Sequence, residues 1–243
     1  MKFIDESISN LISVWHNLSV LKGEFVACDS FSYCHVSDAQ FKNRIWINDF
    51  HVKVDVPLLE TIKEKMLQMG SDMTLSVWSD AQNSGRFTII NQGFLPVYQQ
   101  YGMYFQVHER VEGKHLIQLK KVDCVADAVT WSHLLRKNFN YNIAPEIVLK
   151  GSRTMNFYIV RAGDVNVGTV ILHVTGDTLG IHSLGIIPEY RNRGYADELV
   201  QVIKNHAADR SIDLITLQAT AMGSHLYEKA GFVENYLLSH YTL

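Results

Sequence analysis

Between residues 188 and 200 the chain reads PEYRNRGYADELV. Arg191 and Arg193 precede Gly194, and small Ala196 follows at the opening of an amphipathic run. Where a helix begins, several backbone N–H groups lack partners and the aligned peptide dipoles leave partial positive charge, so an anion is stabilised there. Gly194 lets the backbone approach a bulky anionic group with no Cβ in the way, and Ala196 keeps the first turn open. Arg191 and Arg193 add positive charge, although cations at a helix start oppose the dipole and so need an explanation. A pyrophosphate suits this corner. Pro188, which has no N–H, ends the apolar run before it and turns the chain toward the helix. Neither G-x-x-x-x-G-K-S/T nor a G-x-G-x-x-G following a first parallel strand is present, so a P-loop or a dinucleotide fold is not supported.

Such a corner requires a strand in front and a helix behind. The run LGIHSLGII (179–187) reads as the strand, and Ala196, Leu199, Val200, Ile203 and Ala207 make one apolar stripe of a helix from about Gly194 to Ala208. Upstream, 127–139 is helix-like through Val129, Leu134 and Leu135, and Pro145 opens a short helix through Leu149. Strands are expected at 156–163 and 167–176, with turns AGDVN and TGDT so short that successive strands pair antiparallel. Downstream come a strand Leu214–Ala219, a helix Ser224–Ala230 stopped by Gly231, and a strand from Phe232 onward. With the strand-like run 115–122 placed first, the order is βααβββαβαβ. That order describes an α/β fold whose mixed, largely antiparallel sheet is flanked by helices.

The first half partly repeats this order. Residues 58–77 and 196–218 both read helix then strand, with Ile62-Lys63 and Ile203-Lys204 in register. Each half then reaches a helix-like stretch closed by Gly-Phe, at Phe94 and at Phe232, followed by a strand-like tail. A second register, VYQQYG against LYEKAG, leaves the preceding strands misaligned. The charged turn around Gly113 is the expected boundary, giving units of 1–112 and 115–243. NDFHVKVDVP, before the helix of the first unit, has no glycine and no equivalent of 191–196.

Composition excludes several partners. Of the 243 residues 47% are apolar and 19% charged, and 22 basic against 25 acidic side chains leave a formal charge of −3. No net field recruits nucleic acid or an anionic membrane. Asp5 and Glu6 interrupt any apolar core of a signal peptide, and no uncharged apolar stretch approaches the ~18–20 residues of a membrane span. A cytoplasmic protein is expected. Cys28, Cys34 and Cys124 match no zinc spacing and read as reduced cysteines packed as small hydrophobes, so no metal is expected.

Taken together, Arg191, Asn192, Arg193, Gly194, Tyr195 and Ala196 resemble the acyl-coenzyme A signature R/Q-x-x-G-x-G/A of the GNAT superfamily of N-acyltransferases. LGIIPEYRNRG resembles the strand and loop leading into that signature, and LYEKAGF resembles a second landmark in which a tyrosine precedes a Gly-Phe pair. The likeness covers roughly 115–243. It implies acetyl-CoA as cosubstrate, with backbone groups of Ile186 and Ile187 pairing with the pantetheine arm and polarising the thioester carbonyl. It also implies that the N–H groups of Arg193 to Ala196 hold the pyrophosphate, and that Tyr227 protonates the departing thiolate.

The sequence departs from the family at two places. Thr220 stands where many members carry asparagine, with Gly223 where alanine is common, which implies a shifted pantetheine contact. Gly180 stands where some members place a glutamate base. His182, two residues along and read as sharing a face with Leu184 and Ile186, is the substitute candidate, acting through water. The expected reaction is direct transfer of an acetyl group to a primary amine of a small molecule or peptide, with a degenerate GNAT-like or accessory first half. Gly180 and Thr220 also fit a non-catalytic acyl-CoA sensor. The expected state is a monomer or a homodimer.

Overall fold

The computed structural model describes residues 3–36, 43–50, 54–70, 73–79, 85–110, 116–139 and 141–243. Their first half forms helix α1 (Ile4–Ser19), strands β1 (Glu24–Ala27), β2 (Phe31–His35) and β3 (Asn43–Ile47), helix α2 (Val56–Met69), strand β4 (Met73–Ser79), helix α3 (Arg86–Asn91) and strand β5 (Leu95–Gln106). The second half forms strand β6 (Ile117–Lys121), helices α4 (Val125–Phe139) and α5 (Pro145–Gly151), and strands β7 (Asn156–Ala162), β8 (Val165–Thr175) and β9 (Thr178–Ile186). Helix α6 (Tyr195–Ala208), strand β10 (Leu214–Thr220), helix α7 (Ala221–Lys229) and strand β11 (Val233–Thr242) complete it. The order βααβββαβαβ read from the second half is the observed one.

Local chemistry accounts for the ends of these elements. In α2 the Asp55 carboxylate accepts from Leu58 N at 3.0 Å and Pro57 occupies the first turn, where no N–H partner is needed. Thr220 caps α7 in the same way, accepting from Gly223 N at 3.3 Å. That cap starts α7 at Ala221, three residues before the expected Ser224. Pro188 does more than end a strand. It opens a one-turn 3₁₀ helix, Pro188–Tyr190, between β9 and α6. The turn around Gly113 and His115 of the strand-like run lie outside the described residues.

Among the described residues eleven strands join one sheet in the order β1-β2-β3-β4-β11-β5-β10-β9-β8-β7-β6. Two neighbouring pairs are parallel, β3 with β4 and β9 with β10, and the rest are antiparallel. The last strand of each half lies against the other half: β5 pairs with β10, and β11 with β4. The two exchanged strands pair with each other at the centre. Helices cover both faces. One core packs Leu199, Val200 and Ile203 of α6 on Val170, Leu172, Leu179 and Ile215, and another packs Trp131 and Leu135 of α4 on Phe157, Ile159 and Ile171.

The Gly-Phe register of the two halves has a matching contact in each. Lys63 Nζ of α2 donates to Gln92 O at 3.1 Å, and Lys204 Nζ of α6 donates to Ala230 O at 2.9 Å. Each carbonyl immediately precedes a left-handed glycine, Gly93 (φ 89) or Gly231 (φ 87), and then buried Phe94 or Phe232. In both, a lysine one residue after a buried isoleucine ties the longer helix to the end of the shorter one.

Candidate active site

At the corner before α6 the chain alternates handedness. Asn192 (φ 60) and Gly194 (φ 77) are both left-handed, and Gly194 is the cap residue with no side-chain cap bond. This geometry turns successive N–H groups toward one side, an anion-binding concavity. Among the described residues no partner is taken by the amides of Arg193, Gly194, Tyr195 or Ala196, and the first helical bond is Glu198 N to Gly194 O. A Cβ built on Gly194 meets nothing within 4 Å, so the corner is not plugged. The arginines are steered away from the helix axis. Arg191 Nε donates to Ile186 O at 2.9 Å, while Arg193 donates to Glu189 O at 3.3 Å and lies 5.1 Å over the Tyr190 ring. Their charge brackets the corner from the 3₁₀ side, which resolves their conflict with the helix dipole.

In front of the corner two parallel strands part. The β9–β10 ladder ends at Ile181 and Leu217, although β9 continues to Ile186 and β10 to Thr220. The cause lies in β9, where the pairing with β8 slips by a residue between Thr169 and Ile171 and Ser183 adopts φ 49, a β-bulge. The opened edge leaves strand backbone for an extended ligand. Ile187 does not contribute an amide there: its N–H donates to Val167 O and its carbonyl accepts from Tyr190 N, both at 2.9 Å. The expectation for the pair therefore narrows to Ile186. Since Ile186 is opposite Gly168 beside that Ile187–Val167 bond, its own N–H and C=O turn away from β8; the carbonyl already accepts from Arg191 Nε, which leaves the N–H as its donor on the side of the gap.

The bulge also corrects the reading of His182. It flips the alternation, so Leu184 and Ile186 pack with the α6-side core while His182 faces α1. Asn10 of α1 donates through Nδ2 to His173 O (3.0 Å) and Thr175 Oγ1 (2.8 Å), leaving its Oδ1 to accept from His182 Nε2 at 2.9 Å. The shared proton is therefore on Nε2, and Nδ1 is the acceptor of a neutral ring. Burial, with His173 nearby, holds His182 down to about 3. It can accept a hydrogen bond but is a weak resting place for a proton. Gly180 is explained by the same helix: a Cβ there would stand 1.8 Å from Asn10 Oδ1. Helix α1 occupies the space a glutamate at 180 would need.

A cavity of about 340 Å³ opens from the parted strands, lined by His182, Ser183 and Leu184 of β9, by Gln218, Ala219 and Thr220 of β10, and by Gly223 and Tyr227 of α7. Tyr227 is buried, packs edge-on against Phe232 at 5.6 Å, and has its phenol pushed up by desolvation, so it keeps its proton across the neutral range. Among the described residues its hydroxyl has no hydrogen-bond partner. A Cβ on Gly223 would sit 4.0 Å from the Tyr227 ring, so the small residue keeps that ring accessible. Thr220 Oγ1 accepts the α7 cap bond, and its O–H remains to be donated.

The far wall comes from the first half. Leu11, Val14, Trp15 and Leu18 of α1, Arg44 of β3, and Tyr98 and Gln100 of β5 line it. The sequence reading named none of these. The stripe Ile4, Ile8, Leu11, Trp15, Leu18, all buried, was the available signal for α1. Nothing local in the sequence marks Arg44 or Gln100 as neighbours of Thr220, since only the strand exchange sets Gln100 opposite it. Elsewhere, Asp123, Cys124 and Asp127 bring ligand atoms within 4.8 Å of one another, but Lys120 Nζ sits 2.6 Å from Asp127 Oδ1, a cation where a metal ion would stand. Among the described residues no helix is long and apolar enough to cross a membrane.

Residues 153–234 match a family model described as an acetyltransferase (GNAT) domain. No curated protein matches the chain. Among solved structures, a GCN5-related N-acetyltransferase from Kribbella flavida superposes with a TM-score of 0.69 at 14% identity, covering 96% of this chain and 93% of that one. A GCN5-related N-acetyltransferase from Sphaerobacter thermophilus gives 0.64 at 15% identity over 87% and 76%. A GCN5-related N-acetyltransferase-like protein from Streptococcus suis gives 0.54 at 14% over 98% and 99%. At these identities the structural likeness is one of fold, and it extends over both halves. The second half of the chain carries a GNAT acyltransferase domain.

Proposed function

We propose that the protein transfers an acetyl group from acetyl-CoA to a primary amine of a small molecule or peptide by direct attack, in the cytoplasm, where three free cysteines are at home. The observation that carries this reading is the run of unbonded amides at the Gly194 corner, directly behind a gap between parallel strands. The pyrophosphate rests on those amides and on the start of α6. The pantetheine arm runs along β9, with Ile186 as its backbone partner. In the cavity the neutral amine attacks the thioester carbon, the C–S bond breaks, and the thiolate takes the Tyr227 proton. His182 Nδ1 serves as a hydrogen-bond acceptor, and the ammonium proton leaves through water. The first half, with no glycine corner of its own, is a degenerate copy of the second that has become a wall of the site.

Isothermal titration with acetyl-CoA, followed by thiol release over a panel of amines, tests this. Tyr227→Phe is expected to lower kcat by about a hundredfold or more with acetyl-CoA affinity unchanged. No binding at millimolar acetyl-CoA refutes the reading, and turnover insensitive to Tyr227→Phe removes Tyr227 as the acid.

A further inference from the structure

The cavity has two unlike ends. At one, Gln100 and Gln218 are partly exposed and Thr220 is exposed, and the three are neighbours through the β5–β10 pairing, so water reaches a polar mouth. The other is lined by Leu11, Val14 and Leu18 of α1, by Ile143, by Ile171 of β8 and by Ile181 of β9, none more than 6% exposed. Val14, Leu18, Ile143 and Ile171 pack in one core, so this wall is continuous. Ile181 stands on the last rung of the β9–β10 ladder and shares a core with Tyr227. A path therefore leads from the Tyr227 phenol, past the end of the ladder, into a closed apolar lobe beneath α1. An apolar space of roughly 150 Å³ holds a benzene-sized group. The whole cavity measures about 340 Å³, while acetyl transfer places only a two-carbon group, a sulfur and an amine nitrogen in it.

The carbonyl carbon of a thioester holds three groups, and each has its place here. Sulfur lies by Tyr227, and oxygen by the Ile186 N–H on the side of the gap. The amine comes from water through the polar mouth, and its remaining atoms trail there. The bond left to run into the closed end is the one to the acyl chain. A dry apolar lobe stays empty until an apolar group enters it, and each methylene buried there favours binding. We propose that the preferred donor is an acyl-CoA with a chain of about four to six carbons, acetyl-CoA being the shortest, and that Val14, Leu18 and Ile171 set the chain length. The step itself is unchanged: the amine nitrogen bonds to the acyl carbon, the C–S bond breaks and the thiolate takes the Tyr227 proton. The proton shed by the new ammonium returns to Tyr227 through water. This rests on the acyltransferase reading above and names its donor class.

The test uses the full chain and isothermal titration with CoA and with acetyl-, butyryl-, hexanoyl- and dodecanoyl-CoA, which needs no acceptor. Affinity is expected to rise about fourfold per added methylene, hence about fifteenfold from acetyl to butyryl, and to fall back by dodecanoyl once the lobe is full. Val14→Phe, which fills the lobe, should move the optimum to a shorter chain, and Leu18→Ala, which widens it, to a longer one. A residue that only packs would change stability without moving that optimum, and titration with CoA, which has no acyl chain, reports that each variant is folded. Failure of the unaltered protein to bind CoA or acetyl-CoA overturns the acyltransferase reading itself. Binding of acetyl-CoA with no gain for butyryl- or hexanoyl-CoA overturns the inference about the donor and leaves the cofactor site standing. So does an affinity that keeps rising through dodecanoyl-CoA, or an optimum that neither variant moves.

Discussion

A matched pair of substitutions at Gly194 isolates the electrostatics of the corner. A Cβ there meets nothing within 4 Å, so neither glutamate nor glutamine collides with the protein. Both pay the same backbone penalty for φ +77, roughly 1–2 kcal/mol, which lowers fold stability equally. What differs is one negative charge beside the four unbonded amides. With the carboxylate about 6 Å from a diphosphate and an effective dielectric of about 40, each phosphate charge costs about 1.4 kcal/mol. Two of them sum to about 2.8 kcal/mol, or about a hundredfold in Kd. Isothermal titration near 0.15 M salt should therefore show Gly194→Glu binding acetyl-CoA about a hundred times more weakly than Gly194→Gln. In about 1 M salt, where the screening length falls to roughly 3 Å, the gap should shrink to below about tenfold. Equal affinity of the two variants at low salt would mean that no diphosphate lies on these amides.

Two further outcomes follow from helix α1. Gly180→Ala places a methyl 1.8 Å from Asn10 Oδ1 and 2.4 Å from His182 Nε2, so Asn10 must move and give up its three hydrogen bonds. A loss of about 2–4 kcal/mol is expected in urea unfolding, and a loss below about 0.5 kcal/mol would show that α1 yields freely. The acid limb of stability should also carry the buried histidines. His182 (about 3, from burial and then His173) and His206 (about 4, from burial and then Arg210) stay neutral in the folded chain, whereas the unfolded chain protonates them near 6.5. The unfolded state then binds more protons between those values, so stability falls as pH drops from about 6.5 toward 3. His182→Asn should flatten that limb, and an unchanged limb in chemical denaturation would count against the buried, neutral ring.

The second half was legible because its signals are local. Gly163 (φ 60) and Gly176 (φ 55) sit in turns that force neighbouring strands together, and the α6 stripe needs only its own 14 residues. The corner was legible for the same reason, since a glycine and two arginines within four positions specify it. The face of His182 was not. One left-handed residue, Ser183, reverses the strand's alternation, and serine carries no sequence mark of that conformation. Strands β1 to β3 are four or five residues long, too short for a period to emerge. Arg44, Tyr98 and Gln100 were invisible as site residues because their neighbourhood depends on which strand borders β10, a contact more than a hundred residues away in sequence.

That long-range contact also decides how far the two halves can be treated separately. The family match ends at residue 234, where β11 has only begun, and the edge of β10 is covered by β5 from the other half. Removing the first half would bare that edge, a row of unpaired N–H and C=O groups. It would also strip Asn10 from His182 and take Arg44, Tyr98 and Gln100 out of the cavity wall. In the first half the position beyond the parallel β3–β4 ladder is filled instead: Trp78 Nε1 donates to Ile47 O at 2.8 Å, and Trp15 stacks on Trp78 at 5.7 Å. Where the second half holds a gap between β9 and β10, the first holds indoles. The absence of a glycine from NDFHVKVDVP and the indoles beyond the β3–β4 ladder are consistent with one another, and the exchanged strands bind the described parts of the two halves into one sheet.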